Sequence, residues 1–163
     1  MTVCYSQATY FHNPQGDSQN PSMSSAPDEL DPDFGAMQFN GFDAWDCNVC
    51  SEFPHPPTYY FAVHVWASES GPSDAQRMRL RKLKQQYASL WPSIASTIVI
   101  LHPTLAESNQ VTCAMRDWVS VNLGEHSEDS IELVYDLNLP DEGTRGYFVN
   151  LTDDEVGEAF VAE

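Results

Sequence analysis

Between Thr58 and Pro140 the hydrophobic pattern changes period several times, and that succession constrains the fold more than any other feature of the chain. Residues 59–66 form a continuous apolar, aromatic and β-branched run, which suits a buried strand. From Ser73 the period becomes helical: Leu80, Leu83, Tyr87 and Leu90 recur at three- and four-residue spacing. Ser73 and Gln76 stand in capping-box positions, and Pro92 supplies a stop after Trp91. Residues 97–101 read as a second buried strand. Residues 107–123 read as a second helix, with Val111, Met115, Trp118 and Val119 inward and Gly124 as its C-terminal cap. Residues 131–139 alternate: Ile131, Leu133, Tyr135, Leu137 and Leu139 face one way, and Glu132, Val134, Asp136 and Asn138 the other. One face of that strand is therefore buried and one is solvated or covered by a polar partner.

This order predicts an α/β fold with a three-stranded βαβαβ core and a mostly parallel sheet over 58–163. A hairpin strand at 147–151 follows a turn at 140–144. A short acidic C-terminal helix starts at the Thr152/Glu155 capping box. An α+β sandwich with helices on one face is the alternative. Residues 1–57 read as an irregular acidic N-terminal segment packed on that core. Within it, 3–11 has weak strand character, and 12–32 is a polar, Pro- and Gly-bearing loop. The rings of Phe34, Phe39, Phe42, Trp45 and Phe53 are expected to lie over the core as an irregular flap, and Pro54, Pro56 and Pro57 separate them from the first buried strand.

At 163 residues one domain with a real core is expected. No apolar run approaches the ~20 residues that span a bilayer. The N-terminus lacks the basic and apolar regions of a signal peptide, so a cytoplasmic protein with reduced thiols is the expectation.

Cys47 and Cys50 have C-x-x-C spacing and His55 follows, a set that suits zinc with a fourth ligand from Cys4, His12 or Cys113. A matched second pair is missing, so the reading weighed against zinc is two small, part-buried thiols, with no cofactor. An enzyme or nucleotide-binding domain would draw on His64, His102, Ser68 and Ser70 near the C-terminal ends of parallel strands. No Walker A, G-x-G-x-x-G or G-x-S-x-G motif accompanies them.

The charge distribution is the remaining signal. The net charge is −17, from 24 acidic and 7 basic residues. Five cations crowd onto the first helix: Arg77, Arg81 and Lys84 on one flank, Arg79 and Lys82 on another. Phosphate binding needs an unopposed positive surface, so these cations are expected to pair with carboxylates of the flap or of a second subunit. The excess of negative charge disfavours direct nucleic-acid or membrane binding and favours a basic protein partner. Glu125, Glu128, Asp129, Glu132, Asp136, Asp141, Glu142, Asp153, Asp154, Glu155 and Glu158 are the candidate contact residues. Spaced along a strand and a capped helix, they would stand in for a short track of phosphates. The expected function is an acidic inhibitor that occupies a partner's nucleic-acid groove, in the manner of anti-restriction or anti-CRISPR proteins of phage and mobile elements. An acidic subunit of a larger assembly is the further alternative.

Overall fold

The structure, a computed structural model, describes residues 29–49, 60–105, 108–124, 127, 130–139 and 142–162. The elements run β1 (Glu29–Asp31), β2 (Gly35–Phe39), β3 (Ala44–Val49), β4 (Tyr60–Trp66), α1 (Asp74–Leu101), α2 (Ser108–Ala114), β5 (Met115–Leu123), β6 (Ile131–Leu139), β7 (Gly143–Thr152) and β8 (Glu155–Val161). The eight strands lie in one sheet in chain order. Each neighbouring pair is antiparallel except β4 and β5. Two antiparallel meanders, β1–β4 and β5–β8, are thus joined by one parallel crossover through the helices.

This overturns the expected three-stranded, mostly parallel βαβαβ core. The strands expected at 59–66 and 131–139 and the helix from Ser73 are present, but the elements between and around them differ. Residues 97–101 are not a strand: α1 continues through Pro92 to Leu101. Trp91, Ile94, Ala95 and Ile98 extend the stripe of Leu80, Leu83 and Tyr87 without a break, all of them buried. Pro92 and Ala88 lie on the exposed side of α1, where water can take up the carbonyl that proline leaves unpaired. A local β-branched run yields here to tertiary burial.

The helix expected at 107–123 is only seven residues long, and the chain then becomes β5. Val119, Val121 and Leu123 are buried while Ser120 and Asn122 are not, a period of two rather than 3.6. The C-terminal helix is absent as well. Asp153 and Asp154 have φ of 50° and 66°, and Thr152 pairs with Glu155, so the apparent capping box is a two-residue hairpin loop leading into β8. The irregular flap resolves into β1–β3, shaped by turns the sequence reading did not weigh. Asp31 Oδ1 accepts the backbone N–H of Asp33 at 2.8 Å and of Phe34 at 3.1 Å. Asn40 Oδ1 accepts those of Phe42, Asp43 and Ala44 at 2.8, 3.1 and 3.2 Å. The strand expected at 3–11 and the loop at 12–32 fall outside the described residues, apart from the last few of the loop.

The core lies between α1 and one face of the sheet. A single row across seven strands, Met37–Cys47–Val63–Val121–Leu133–Val149–Ala159, shows its composition. Tyr87 of α1 and Tyr135 of β6 join hydroxyls at 3.1 Å inside it. Burial pushes both phenols well above their ordinary pKa. The start of α1 is locked onto the parallel pair by Gln76. Its amide donates to the Trp66 carbonyl at 2.8 Å and accepts from Ser73 N at 2.9 Å. A Cβ at Gly124, whose φ is +84°, would lie 2.5 Å from that amide, so the position requires glycine.

The cations of α1 fasten the two outer hairpins to it. Arg77 Nε donates to Asp31 at 2.9 Å, Arg81 makes two bonds of 2.5 Å to Asp33, and Lys84 donates to the Asp33 carbonyl at 2.8 Å. From the other flank Arg79 reaches Asp154 at 2.7 Å, and Lys82 bonds the same carboxylate. Opposite margins of the sheet are therefore held to opposite flanks of one helix. Burial alone would raise the Asp31 pKa, but the Asp33 and Phe34 amides and the Arg77 guanidinium outweigh it and hold the carboxyl below the usual range.

Candidate interaction face

With α1 and the core on one side, the other face of the sheet is left open among the described residues. Side chains alternate along each strand, so every in-register partner shares a face. Six strands contribute one polar row to the open face: Gln38, Asp46, His64, Asn122, Glu132 and Asn150. The next row is Ala62, Ser120, Val134, Phe148 and Phe160. A third places Asp136 opposite Gly146, whose carbonyl accepts Ala162 N at 2.9 Å.

Two contacts organise the polar row. His64 Nδ1 lies 2.5 Å from Asp46 Oδ1, with side chains 40% and 57% exposed. Such an exposed pair orients the ring and contributes little to stability. Asn122 Nδ2 donates to Glu132 Oε1 at 2.9 Å, and Glu132 is 5% exposed. A depression of about 250 Å³ opens at the β2–β4 end, lined by Ala36, Gln38, Asp46, Ala62 and His64. That is below the ~300–1,000 Å³ typical of small-molecule sites, and is closer to the size of one protein side chain. In the second row Phe148 and Phe160 stack, with centroids 4.9 Å apart and planes 2° from parallel.

The acidic residues singled out from the sequence separate into groups. Glu125, Glu128, Asp129 and Asp141 lie outside the described residues. Glu132 and Asp136 are on the open face as expected, but Glu132 is buried rather than exposed. Asp153, Asp154 and Glu155 come together in the β7–β8 turn, where Asp154 is committed to Arg79 and Lys82. Glu158 is exposed on β8. Glu142 sits at the other end of β7, about 30 Å away over a ten-residue strand, with Arg145 at 3.0 Å and His102 at 3.6 Å. The carboxylates thus form patches, not one continuous track.

The proposed zinc ligands are not assembled within the described residues. Cys47 is buried in the core row, and burial, reinforced by Asp46 and Asp31, pushes its thiol up to about 12. Metal ligation needs a thiolate, so this environment opposes it. Cys50 and His55 lie outside the described residues, and among those described no three potential ligands converge. Cys113, in α2, is disulfide-bonded, which corrects the expectation of reduced thiols.

The residues considered for catalysis are distributed along the fold. Ser68 precedes the start of α1 and His102 caps its end, so they are separated by roughly 40 Å, the length of a 28-residue helix. His64 faces Asp46 on the open sheet, and Ser68 Oγ bonds Ser70 Oγ at 2.6 Å. The sequence reading missed the polar row because β2, β3 and β5 were not recognised as strands. The alternation Ser120–Asn122 against Val119–Val121–Leu123 was the available signal. No family model, curated protein or solved structure matches the chain. Among the described residues no helix is long and apolar enough to cross a membrane.

Proposed function

We propose that the protein is an acidic binding inhibitor that occupies the basic, nucleic-acid-binding surface of a protein partner. The observation that carries this reading is the fate of the cations. The five cations of α1 and Arg145 each rest on an intramolecular partner: Asp31, Asp33, Asp74 and Asp154 for those of α1, and Glu142 for Arg145. The positive charge of α1 is spent inside the fold, the chain as a whole carries a net charge of −17, and Asp46, Asp153, Glu155 and Glu158 are among the carboxylates turned outward. A polyanion is repelled by such a surface, and a phosphate-binding groove is attracted to it.

The test is affinity capture at low salt, followed by elution with duplex DNA or with RNA. Nucleic-acid-binding proteins should be released by the competing polyanion, and after purification should rebind with an affinity that falls steeply with salt. Retained proteins that resist nucleic acid but leave with a neutral competitor would overturn the reading.

A further inference from the structure

The open face carries a feature that the charge argument alone does not use. Among the described residues β8 is the last strand of the sheet, so no described strand adjoins the side of the Phe160 ring turned away from Phe148, and Phe160 is 47% exposed. Its stacking on Phe148 fixes the ring plane. Glu158, two residues before Phe160, is exposed beside the irregularity in the β7–β8 register. On the inner side Gly146 leaves a low floor. The position its Cβ would occupy is 3.4 Å from the Phe148 ring, 3.7 Å from Asp136 Oδ1 and 3.8 Å from the Ala162 methyl. An anchored aromatic pair therefore stands between two carboxylates.

We infer that this edge of the open face recognises arginine side chains of the partner, with a guanidinium stacked on Phe160 and paired to Glu158 or, across Gly146, to Asp136. The inference rests on the acidic-binder reading and assigns its contact surface. Arginine fits better than lysine because its cation is planar and weakly hydrated. It can lie flat on the ring while its edge donates to a carboxylate. An ammonium would gain the carboxylates but little from the ring. The β7–β8 turn, though more acidic, offers no ring, and one of its carboxylates is already taken by α1.

The experiment compares two fluorescent twelve-residue peptides of equal charge, alternating Arg-Gly and alternating Lys-Gly, by anisotropy at low salt. The intact protein should bind the arginine peptide about three- to fivefold more tightly. Phe160→Ala and Phe160→Leu should both bring that ratio to about one, the leucine variant keeping apolar bulk without a π face. Asp136→Asn combined with Glu158→Gln should weaken both peptides several-fold. Asp153→Asn with Glu155→Gln in the turn should weaken both slightly and preserve the ratio. A ratio untouched by either Phe160 variant, or lost in the turn variant alone, would overturn the assignment while leaving the acidic-binder reading intact. If neither peptide binds, both fall.

Discussion

On the covered side of the sheet, Phe61, Val63 and Val65 of β4 meet Val119, Val121 and Leu123 of β5 beneath α1, all of them buried. On the open side the same two strands present Ala62 and His64 beside Ser120 and Asn122. Identical backbone ladders thus carry two chemistries, because alternate residues of a strand point to opposite faces. The covered face does the work of stability through apolar burial. The open face is free to hold Asp46, His64, Asn122, Glu132, Asp136 and the stacked phenylalanines, whose identities the core does not dictate. On the open face the carboxylate that departs from this division is Glu132, which is buried and held by Asn122.

The sharpest way to test that division is along α1, where the two environments alternate over a few residues. Ile98 is fully buried and Ile100 is 76% exposed. Ile98→Ala should cost about 2–5 kcal/mol by denaturant unfolding, and Ile100→Ala less than about 0.5 kcal/mol. Similar costs at both positions would mean that residues 97–101 do not pack as the C-terminal turns of a helix.

Alkaline pH attacks the covered face selectively. Cys47 is raised from 9.0 to about 12, and Tyr87 and Tyr135 are raised above 10.0. A group whose folded pKa is raised contributes stability that is complete below its unfolded value and is lost as pH climbs toward the folded one. Unfolding free energy should therefore decline above about pH 9, Cys47 alone accounting for roughly 3 kcal/mol by pH 11. The Cys47→Ala variant should show a shallower decline between pH 9 and 11. An unchanged slope would show that the thiol is not shielded.

The margins of the sheet give a smaller effect. Asp154→Asn keeps a residue tolerant of positive φ and removes the charge that Arg79 and Lys82 share. Its side chain is 21% exposed, between the surface and buried limits, so about 1–2 kcal/mol should be lost at low salt and less at 1 M salt. A loss insensitive to salt would point to the turn rather than to the ion pairs. The open face gives the smallest effects. Glu132→Ala leaves Asn122 without its acceptor and should cost about 1 kcal/mol. Asp136→Ala should change stability by less than about 0.5 kcal/mol. Equal costs at the two positions would erase the exception that Glu132 makes.

Much of the covered face was legible in the sequence. The stripe of Leu80, Leu83 and Tyr87, the cap formed by Ser73 and Gln76, and the alternation from Ile131 to Leu139 each record burial within a single element. So did the two flanks of cations, which found carboxylates in the flap, Asp31 and Asp33, and also at Asp154. What failed was the choice between periods where the residues allow both. Thr97–Leu101 is β-branched yet helical, and Val119–Leu123 alternates as a strand although its apolar spacing also continues the helical pattern of Val111 and Met115. Thr152 with Glu155 mimics a helix start, yet it frames a hairpin of two aspartates.

By itself, then, the sequence determined which side chains avoid water, where α1 begins, and that the surface is strongly acidic. Those properties depend on residues within a turn or two of one another and on a sum of charges. Only the tertiary structure decided that residues 97–101 continue α1, that β4 and β5 are the single parallel pair, and that Asp46, His64, Asn122 and Glu132 share a row. Those outcomes depend on which apolar surface a segment finds to cover it, and on cross-strand register between residues far apart in the chain. The Phe148–Phe160 stack beside Asp136 belongs to the same class, because its geometry exists only once β7 and β8 pair.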